Sequence, residues 1–266
     1  MSDKKTFDTF IFDLDGTILD TLPDLVVVTN EALREQGFPK RTHDEVLSFV
    51  GNGLVALMYQ AVPENTPKDI ADQAVACWKR FNLEYDNHLT APYPHVPETL
   101  AELRRRGCKL GVLSNKFDGG VHKIIAQCLP GLFDVEHGEC EEIPRKPNPA
   151  GLLRTIEELG STPERTAYLG DSPNDILVAH RAGACGIGVS WGYHTAQEMR
   201  DAESDIMLES FRPVGIRTRI LESRDSKGNI KGSGSPVEEP LPFRILTMRG
   251  RPMPAPAIPK AYAFVA

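Results

Sequence analysis

The stretch from Phe10 to Asp20 constrains the fold of this chain more than any other part of it. Its first three residues are apolar, as in a strand that is buried on both faces of a parallel sheet. Asp13 and Asp15 follow this run, and Gly16 then permits a sharp turn. Open α/β sheets bind their ligands at the carboxyl ends of the strands. The stretch therefore predicts a buried strand with two carboxylates at a ligand-binding edge, although the same residues also suit an ordinary turn.

The chain from residue 96 to residue 212 alternates between short apolar runs and amphipathic segments. We expect strands at 110–113, 133–135, 167–169, 186–190 and 205–208, separated by helices. Alternating strands and helices form βαβ units, and right-handed crossovers between them lead to a doubly wound parallel sheet. The sequence therefore predicts an α/β fold with a Rossmann-like core.

Residues 20–95 have helical patterns and no convincing strand. A capping box marks the start of one helix at Thr42, and the glycine-rich segment 51–53 interrupts that helix. Helices that are inserted directly after a strand predict a small α-helical cap domain. We therefore expect residues 1–19 and 96–212 to form the core and residues 20–95 to form the cap.

Residues 213–266 differ in composition from the rest of the chain. They contain a linker-like stretch at 231–236 and four prolines within 251–259. Such a composition lacks the apolar periodicity of a packed core. We expect a disordered or loosely packed tail, with a hairpin at 216–230 as the alternative.

Composition and charge limit the classes of partner. A chain of 266 residues, 41% of them hydrophobic, can bury one core and a small second domain. A formal net charge of −7 gives no reason to expect a nucleic acid or an anionic membrane as partner. The N-terminus lacks the apolar segment of a signal peptide, and the five cysteines are odd in number and widely spaced. We therefore expect a cytoplasmic protein with reduced thiols, either a monomer or a homodimer.

The seven histidines form no pair at ligand spacing, and we interpret them as surface or packing residues.

Two further groups of polar residues are candidates for the edge of the sheet that carries Asp13. Ser114 and Asn115 follow the strand expected at 110–113, where a serine is commonly just a turn residue. Lys146 lies in a loop that Pro147 and Pro149 stiffen. A lysine whose movement is restricted is a good point charge for a phosphate, although a solvated basic loop is the ordinary alternative.

Asp171 and Asp175 follow another apolar run. Ser172 is a good first residue for a helix, so Asp175 is expected to cap the N-terminus of that helix. Capping does not explain Asp171, which would join Asp13 and Asp15 in an anionic cluster. Such a cluster is costly unless a hard cation such as Mg²⁺ neutralises it.

Together these motifs resemble those of the haloacid dehalogenase (HAD) superfamily, most of whose members are phosphatases. The string D-x-D-G-T at 13–17 resembles the nucleophile motif, K-P-x-P at 146–149 the lysine loop, and G-D-x-x-x-D at 170–175 the metal-binding motif. Within the superfamily the chain is similar to the phosphoglycolate phosphatase group, at 49–53, 92–96 and 192–193. The similarity extends over about residues 8–212.

The resemblance implies a role for each matching residue. Asp13 would attack phosphorus to form an aspartyl-phosphate, and Asp15 would act as acid and base. The residues that would bind the phosphorylated substrate are Gly16, Thr17, Ser114, Asn115 and Lys146. Mg²⁺ would be held by Asp13, by the backbone carbonyl of Asp15 and by Asp171, with Asp175 and Asn52 in supporting positions.

The activity that the resemblance implies is hydrolysis of a small phosphorylated metabolite, with 2-phosphoglycolate as the leading substrate. The core motifs do not choose the leaving group, so pyrophosphate, a sugar phosphate or a nucleotide stays open. A phosphosugar mutase would share Asp13 and Asp15, whereas a dehalogenase would use neither the Asp15 acid nor a metal cluster. A non-catalytic protein of the same fold is the alternative from a different class, and the intact motif residues argue against it.

Overall fold

The computed structural model describes residues 7–211. The tail that we predict from residue 213 onward lies outside the described residues, as do the first six residues of the chain.

The elements fall into two groups along the chain. Those of residues 7–95 are β1 (Thr9–Phe12), β2 (Leu19–Asp20), α1 (Leu22–Glu35), α2 (His43–Phe49), α3 (Gly53–Ala61), α4 (Lys68–Glu84) and β3 (Ala91–Pro92). Those of residues 96–211 are α5 (Val96–Arg105), β4 (Lys109–Phe117), α6 (Asp118–Cys128), β5 (Val135–Glu139), α7 (Ala150–Glu158), β6 (Thr166–Gly170), α8 (Pro173–Ala182), β7 (Cys185–Val189), α9 (Ala196–Asp201) and β8 (Ile206–Leu208). None of these helices is long and apolar enough to cross a membrane.

Strand β1 lies inside a six-stranded parallel sheet with the order β5-β4-β1-β6-β7-β8. The chain adds β4 and β5 on one side of β1 and then returns to the other side for β6, β7 and β8. The strand order therefore reverses between β1 and β6, where the loops leave a crevice at the carboxyl ends of the strands. This arrangement confirms the predicted doubly wound, Rossmann-like sheet.

Strand β1 is buried on both faces, which explains its continuous apolar run. Phe10 and Phe12 belong to the hydrophobic cluster on one face of the sheet, whereas Ile11 belongs to the cluster on the other face. This alternation is the ordinary period of two in a strand. The strand therefore holds Asp13, the next residue, at the edge of the sheet.

Strand β4 is longer than the sequence predicts. The expected strand ends at residue 113, but the structure continues it to Phe117, with Ser114, Asn115 and Lys116 all buried. Polar groups in a buried strand need hydrogen-bond partners, and these come from distant parts of the folded chain. Because the sequence does not show such partners, three consecutive polar residues predict a turn. The polar segment is consequently part of the sheet rather than of the loop after it.

Residues 20–95 contain strand residues, contrary to our expectation. β2 and β3 form a two-stranded antiparallel ribbon where the chain leaves the core and where it returns. Each strand has only two residues, which is too short for an alternating pattern to be recognised. Asp24 ties the two connections together, since its carboxylate accepts hydrogen bonds from the backbone N–H groups of Leu89 and Thr90.

Helices α1 to α4 pack around a hydrophobic cluster of their own. Leu33, Met58 and Trp78 are buried at its centre, and the indole N–H of Trp78 donates to the hydroxyl of Thr29 at 3.1 Å. Phe117, at the end of β4, packs against the same cluster and links it to the sheet. The four helices thus form a separate layer beside the carboxyl edge of the sheet.

Candidate active site

The carboxyl ends of three strands bring together polar residues that are far apart in the sequence. Asp13 follows β1, Ser114 and Lys116 lie near the end of β4, Asp171 follows β6, and Lys146 reaches them from the loop before α7. These residues line one cavity of about 320 Å³. The opposite wall of the cavity comes from α1 to α4, so the two layers enclose the site together.

Asp13 is a buried carboxylate whose charge is poorly compensated. Its Oδ1 lies 2.8 Å from Nζ of Lys146, yet the described residues offer this oxygen no hydrogen bond of good geometry. Burial raises the pKa of Asp13 to about 7; Lys146 opposes this rise, and Asp175 and Asp171 add to it. A carboxylate in this state is suited to binding a cation or to attacking an electrophile.

Lys146 is held by a buried polar network. Its Nζ lies 2.7 Å from Oδ1 of Asp175, 2.8 Å from Oδ1 of Asp13 and 3.0 Å from the hydroxyl of Tyr168. Burial alone would lower the pKa of Lys146, but Asp13 and Asp175 raise it well above its usual value. Lys146 therefore carries a positive charge at a fixed place, as phosphoryl oxygens require.

Asp175 caps a helix and holds Lys146 at the same time. Its Oδ2 accepts hydrogen bonds from the backbone N–H and the hydroxyl of Ser172, at 2.9 and 2.7 Å, which caps α8. Its Oδ1 is the one that contacts Lys146. The carboxylate lies so close to Gly170 that a Cβ there would be 2.2 Å from Cγ of Asp175, so this position requires glycine.

Asp171 is oriented by the turn that follows Asp15. The hydroxyl of Thr17 donates to Oδ1 of Asp171 at 2.9 Å, and the backbone N–H of Tyr193 donates to Oδ2 at 2.7 Å. Gly16 has a φ of +81°, and a Cβ at this residue would lie 2.5 Å from Oδ2 of Asp171. Gly16 and Thr17 do not line the cavity. The structure therefore places these two expected substrate-binding residues behind Asp171, because the turn folds back over that carboxylate.

Three carboxylates converge closely enough to hold a cation. Asp13, Asp171 and Asp175 each offer an oxygen, and these oxygens lie within 4.8 Å of one another. Buried carboxylates at this separation repel each other, and a hard divalent cation with oxygen ligands relieves that repulsion. The side chain of Asp15, which we expected near Asp13 and Asp171 in an anionic cluster, does not belong to this group.

Asp15 turns instead towards Thr21 and Lys116. Its Oδ1 accepts a hydrogen bond from the hydroxyl of Thr21 at 2.6 Å and from Nζ of Lys116 at 3.1 Å. Lys116 is not among the site residues predicted from the sequence, although it follows Ser114 and Asn115 directly. Its side chain is only 4% exposed, and it lines the cavity beside Asp15.

Ser114 and Asn115 are adjacent in the sequence but do different things in the structure. Ser114 lines the cavity, where its hydroxyl oxygen accepts a long hydrogen bond of 3.3 Å from the backbone N–H of Lys116. The Asn115 amide nitrogen donates to the carbonyls of Gly51 and Lys146, and its oxygen accepts from the backbone N–H of Lys146 at 2.7 Å. Both amide hydrogens are thus used. Asn115 lines the cavity as well, and its side chain positions the Lys146 loop. The substrate contact that we expected for it stays a prediction.

Asn52 does not line the cavity, whereas the glycines on either side of it do. Its side chain is exposed, and its amide oxygen accepts a weak hydrogen bond of 3.4 Å from Asn174. Gly51 and Gly53, which have no side chains, form this part of the cavity wall with their backbone. The supporting position that we expected for Asn52 stays a prediction.

His194 is another cavity residue that was not predicted from the sequence, because we interpreted all histidines as surface or packing residues. It lines the cavity, and its Nδ1 is buried, with no hydrogen bond to any residue in the described part of the chain. This nitrogen lies 4.0 Å from Oδ2 of Asp171, and that carboxylate raises the pKa of the imidazole. The sequence signal that could have identified His194 is its position directly after the glycine–tyrosine pair at 192–193, where the chain resembles the phosphoglycolate phosphatase group.

Comparison with known proteins agrees with this architecture. The family model for haloacid dehalogenase-like hydrolases matches residues 10–189. A phosphoglycolate phosphatase from Mannheimia succiniciproducens is 35% identical over 208 residues, which cover 75% of this chain and 93% of that relative. One from Aquifex aeolicus is 34% identical over 184 residues, covering 69% of this chain and 84% of that relative.

A solved structure has the same fold. The crystal structure of a predicted phosphoglycolate phosphatase from Haemophilus somnus 129PT superposes with a TM-score of 0.70 at 29% identity. The match covers 77% of this chain and 95% of that one. With a doubly wound sheet, a helical layer beside it and a family model that spans most of the described residues, this chain belongs to the haloacid dehalogenase-like hydrolase family.

Proposed function

We propose that this chain is a Mg²⁺-dependent phosphatase that hydrolyses 2-phosphoglycolate to glycolate and phosphate. The observation that carries the proposal is the buried contact between Asp13 and Lys146, 2.8 Å apart in a cavity that Asp171 also lines. Phosphoryl transfer depends on positioning and on charge stabilisation, and this arrangement supplies both. The choice of substrate is supported by the relatives named phosphoglycolate phosphatase, which align over most of their length.

In the first half of the reaction, a carboxylate oxygen of Asp13 attacks phosphorus and the bond from phosphorus to the ester oxygen breaks. Asp15, whose carboxyl group lies beside Lys116, gives a proton to the departing glycolate oxygen. Lys146 stabilises the negative charge on the phosphoryl oxygens. The products of this half are free glycolate and an aspartyl-phosphate on Asp13.

In the second half, a water molecule attacks the phosphorus of the aspartyl-phosphate. Asp15, now ionised, takes a proton from that water, and the bond from phosphorus to the Asp13 oxygen breaks. Ser114 lines the cavity, where its hydroxyl would donate a hydrogen bond to a phosphoryl oxygen. Release of phosphate returns Asp13 and Asp15 to the protonation states in which the cycle began.

Asp13 and Asp171, with the backbone carbonyl of Asp15, would hold the Mg²⁺. The observation that supports this assignment is the buried carboxylate cluster, in which Oδ1 of Asp13 has no hydrogen bond of good geometry among the described residues. The bound cation supplies positive charge that offsets the repulsion between the carboxylates and the phosphoryl oxygens. Asp175 stays bonded to Lys146 and keeps the ammonium in place.

We further propose that residues 20–95 act as a cap over the core. Leu54 and Trp78, from α3 and α4, contribute an apolar wall to the cavity that faces the carboxylates. Such a wall excludes water from the reacting groups and limits the size of the leaving group. The cytoplasmic location and the monomeric or dimeric state that we expect from the sequence stay predictions.

The test is an assay of purified protein with Mg²⁺ against a panel of phosphorylated metabolites, with release of phosphate as the readout. We expect the highest kcat/KM for 2-phosphoglycolate, ahead of pyrophosphate, sugar phosphates and nucleotides. A clear preference for one of the other compounds would replace the proposed substrate while keeping the reaction. Conversion of a phosphosugar into its isomer would identify a mutase, and no turnover of any compound would refute the proposal.

A further inference from the structure

We propose that Lys116 recognises a carboxylate on the leaving group of the substrate. The inference rests on the proposed function and deepens it, because it names the substrate class: phosphomonoesters whose leaving group carries a carboxylate close to the ester oxygen. Four features of the site carry it.

The first feature is the place of Lys116 beside the proposed acid. Nζ of Lys116 lies 3.1 Å from Oδ1 and 3.4 Å from Oδ2 of Asp15. An acid that protonates the leaving oxygen must come within about 3 Å of it. Nζ is therefore within about 6 Å of the leaving oxygen, since two hydrogen-bond lengths separate them. A carboxylate that is one methylene group beyond that oxygen falls within reach of the ammonium.

The second feature is the unused hydrogen-bonding capacity of Lys116. An ammonium carries three donors. Among residues 7–211, Nζ of Lys116 donates hydrogen bonds only to the carboxylate of Asp15. The side chain is 4% exposed, so bulk water has little access to the remaining capacity. A buried ammonium that lines a cavity and has unused N–H donors is suited to binding an anionic ligand.

The third feature is the division of labour between the two lysines of the cavity. Lys146 is occupied by Asp13 and Asp175, which places it at the phosphoryl end. Lys116 contacts neither of these carboxylates and lies at the Asp15 end. The two positive charges therefore lie where a short substrate with one anionic group at each end would bind.

The fourth feature selects a carboxylate over a second phosphate. The described lining of the cavity contains no arginine, and Lys116 is the one lysine at the leaving-group end. A phosphate group usually needs several donors or a bidentate guanidinium, whereas one ammonium is enough for a monoanion. The facing wall includes Leu54, Leu57 and Trp78, which suits the methylene group of the leaving group rather than more charge.

The experiment compares 2-phosphoglycolate with ethyl phosphate, in which a methyl group replaces the carboxylate. We expect the protein with Mg²⁺ to prefer 2-phosphoglycolate in kcat/KM by roughly 10- to 150-fold, the range of a charge-assisted hydrogen bond. Lys116→Met should reduce this preference to a few-fold, and Lys116→Arg should retain part of it. Both variants also disturb Asp15, but that effect falls on the two substrates alike and cancels in the ratio.

Lys123→Met is the matched control. Lys123 is a partly buried lysine whose Nζ donates to backbone carbonyls at the end of α4, including those of Asn82 and Leu83, and it does not line the cavity. Its loss should leave the ratio between the two substrates unchanged. Circular dichroism and thermal unfolding check that each variant is folded.

A second readout does not depend on turnover. Asp13→Asn protein binds substrate without consuming it, and calorimetry measures its affinity for 2-phosphoglycolate and for ethyl phosphate with and without Lys116→Met. We expect the added substitution to weaken binding of 2-phosphoglycolate alone, by roughly 10-fold or more.

The outcomes separate the two proposals. If Lys116→Met lowers activity on both substrates equally and leaves the binding ratio unchanged, Lys116 is only the counter-ion of Asp15; the inference is then wrong while the phosphatase proposal stands. If the unmodified protein turns over both substrates equally well, both the inference and the choice of 2-phosphoglycolate are wrong. If it turns over no phosphomonoester, the proposed function is wrong, and the binding measurement still decides the role of Lys116.

Discussion

Replacing Asp13 with asparagine is expected to abolish turnover and, without a bound cation, to stabilise the fold. Asp13→Asn keeps the shape of the side chain but removes the anion that attacks phosphorus, so kcat should fall by about three powers of ten or more. The same anion is 8% exposed and lies among other carboxylates, and burial raises its pKa from 3.8 to about 7. The group needed for chemistry is thus a group that opposes folding.

The size of the stabilisation follows from that pKa. A rise of about 3 units corresponds to roughly 4 kcal/mol of unfavourable free energy for the ionised form, at about 1.36 kcal/mol per unit. That pKa already includes the attraction of Lys146, which keeps Asp175 as its partner in the variant. The asparagine amide brings buried N–H donors of its own, and their loss of hydration offsets part of the gain. We therefore expect a net increase of about 1–3 kcal/mol in the free energy of unfolding.

The pH dependence has a definite sign. Well below pH 4 the carboxyl group is protonated in both the folded and the unfolded state, so it does not oppose folding. As the pH rises from about 4 to about 7, the unfolded state releases its proton first, and stability falls. The full cost is present above pH 7. The advantage of Asp13→Asn should consequently be largest at pH 8 and less than half as large at pH 5.

Urea unfolding in EDTA at pH 8 and pH 5 measures this difference. Asp86→Asn is the control, since Asp86 is exposed and its hydrogen bond from Gln127 can be kept by an asparagine oxygen. The control should change stability by less than about 0.5 kcal/mol. Mg²⁺ should stabilise the unmodified protein more than Asp13→Asn and so reduce the gap. An Asp13→Asn protein that is no more stable than the unmodified one in EDTA at pH 8 would refute the reasoning.

Three further predictions concern the groups around the reacting carboxylate. EDTA should abolish phosphate release, Mg²⁺ should restore it, and Ca²⁺ should inhibit because its larger and more flexible coordination shell misplaces the phosphoryl group; full activity in EDTA would remove Asp171 from its assigned role. Thr17→Val removes the hydroxyl that orients Asp171, so the Mg²⁺ concentration for half-maximal activity should rise by about 10-fold or more; an unchanged Mg²⁺ dependence would contradict this. Asn115→Ala removes the anchor of the Lys146 loop, and thermal unfolding with steady-state kinetics should show a loss of about 1–3 kcal/mol in stability and a lower kcat. A rise in KM alone would instead indicate that Asn115 binds substrate.

Much of the fold was evident from local patterns in the sequence. The apolar run before Asp13 predicts a buried strand, the capping residues at Thr42 and Ser172 predict helix starts, and the alternation after residue 96 predicts the parallel sheet. The placement of Asp13 and Asp171 at one edge of the sheet follows from the same reasoning, because parallel strands present their carboxyl ends together. These properties depend on neighbours in the chain, and a sequence displays its neighbours directly.

The partners of individual side chains were decided only by the tertiary structure. Lys116 and Asp15 are 101 residues apart in the sequence, and Asn115 meets Gly51 across 64 residues. The motif residues Gly16 and Thr17 support Asp171 across the gap between two strands instead of lining the cavity. Residue spacing indicates which side chains reach the edge of a sheet, but the twist of the strands and the packing of the loops decide which of them touch. The role of a buried charge such as Lys116 can be inferred only once the fold shows the opposite charge beside it.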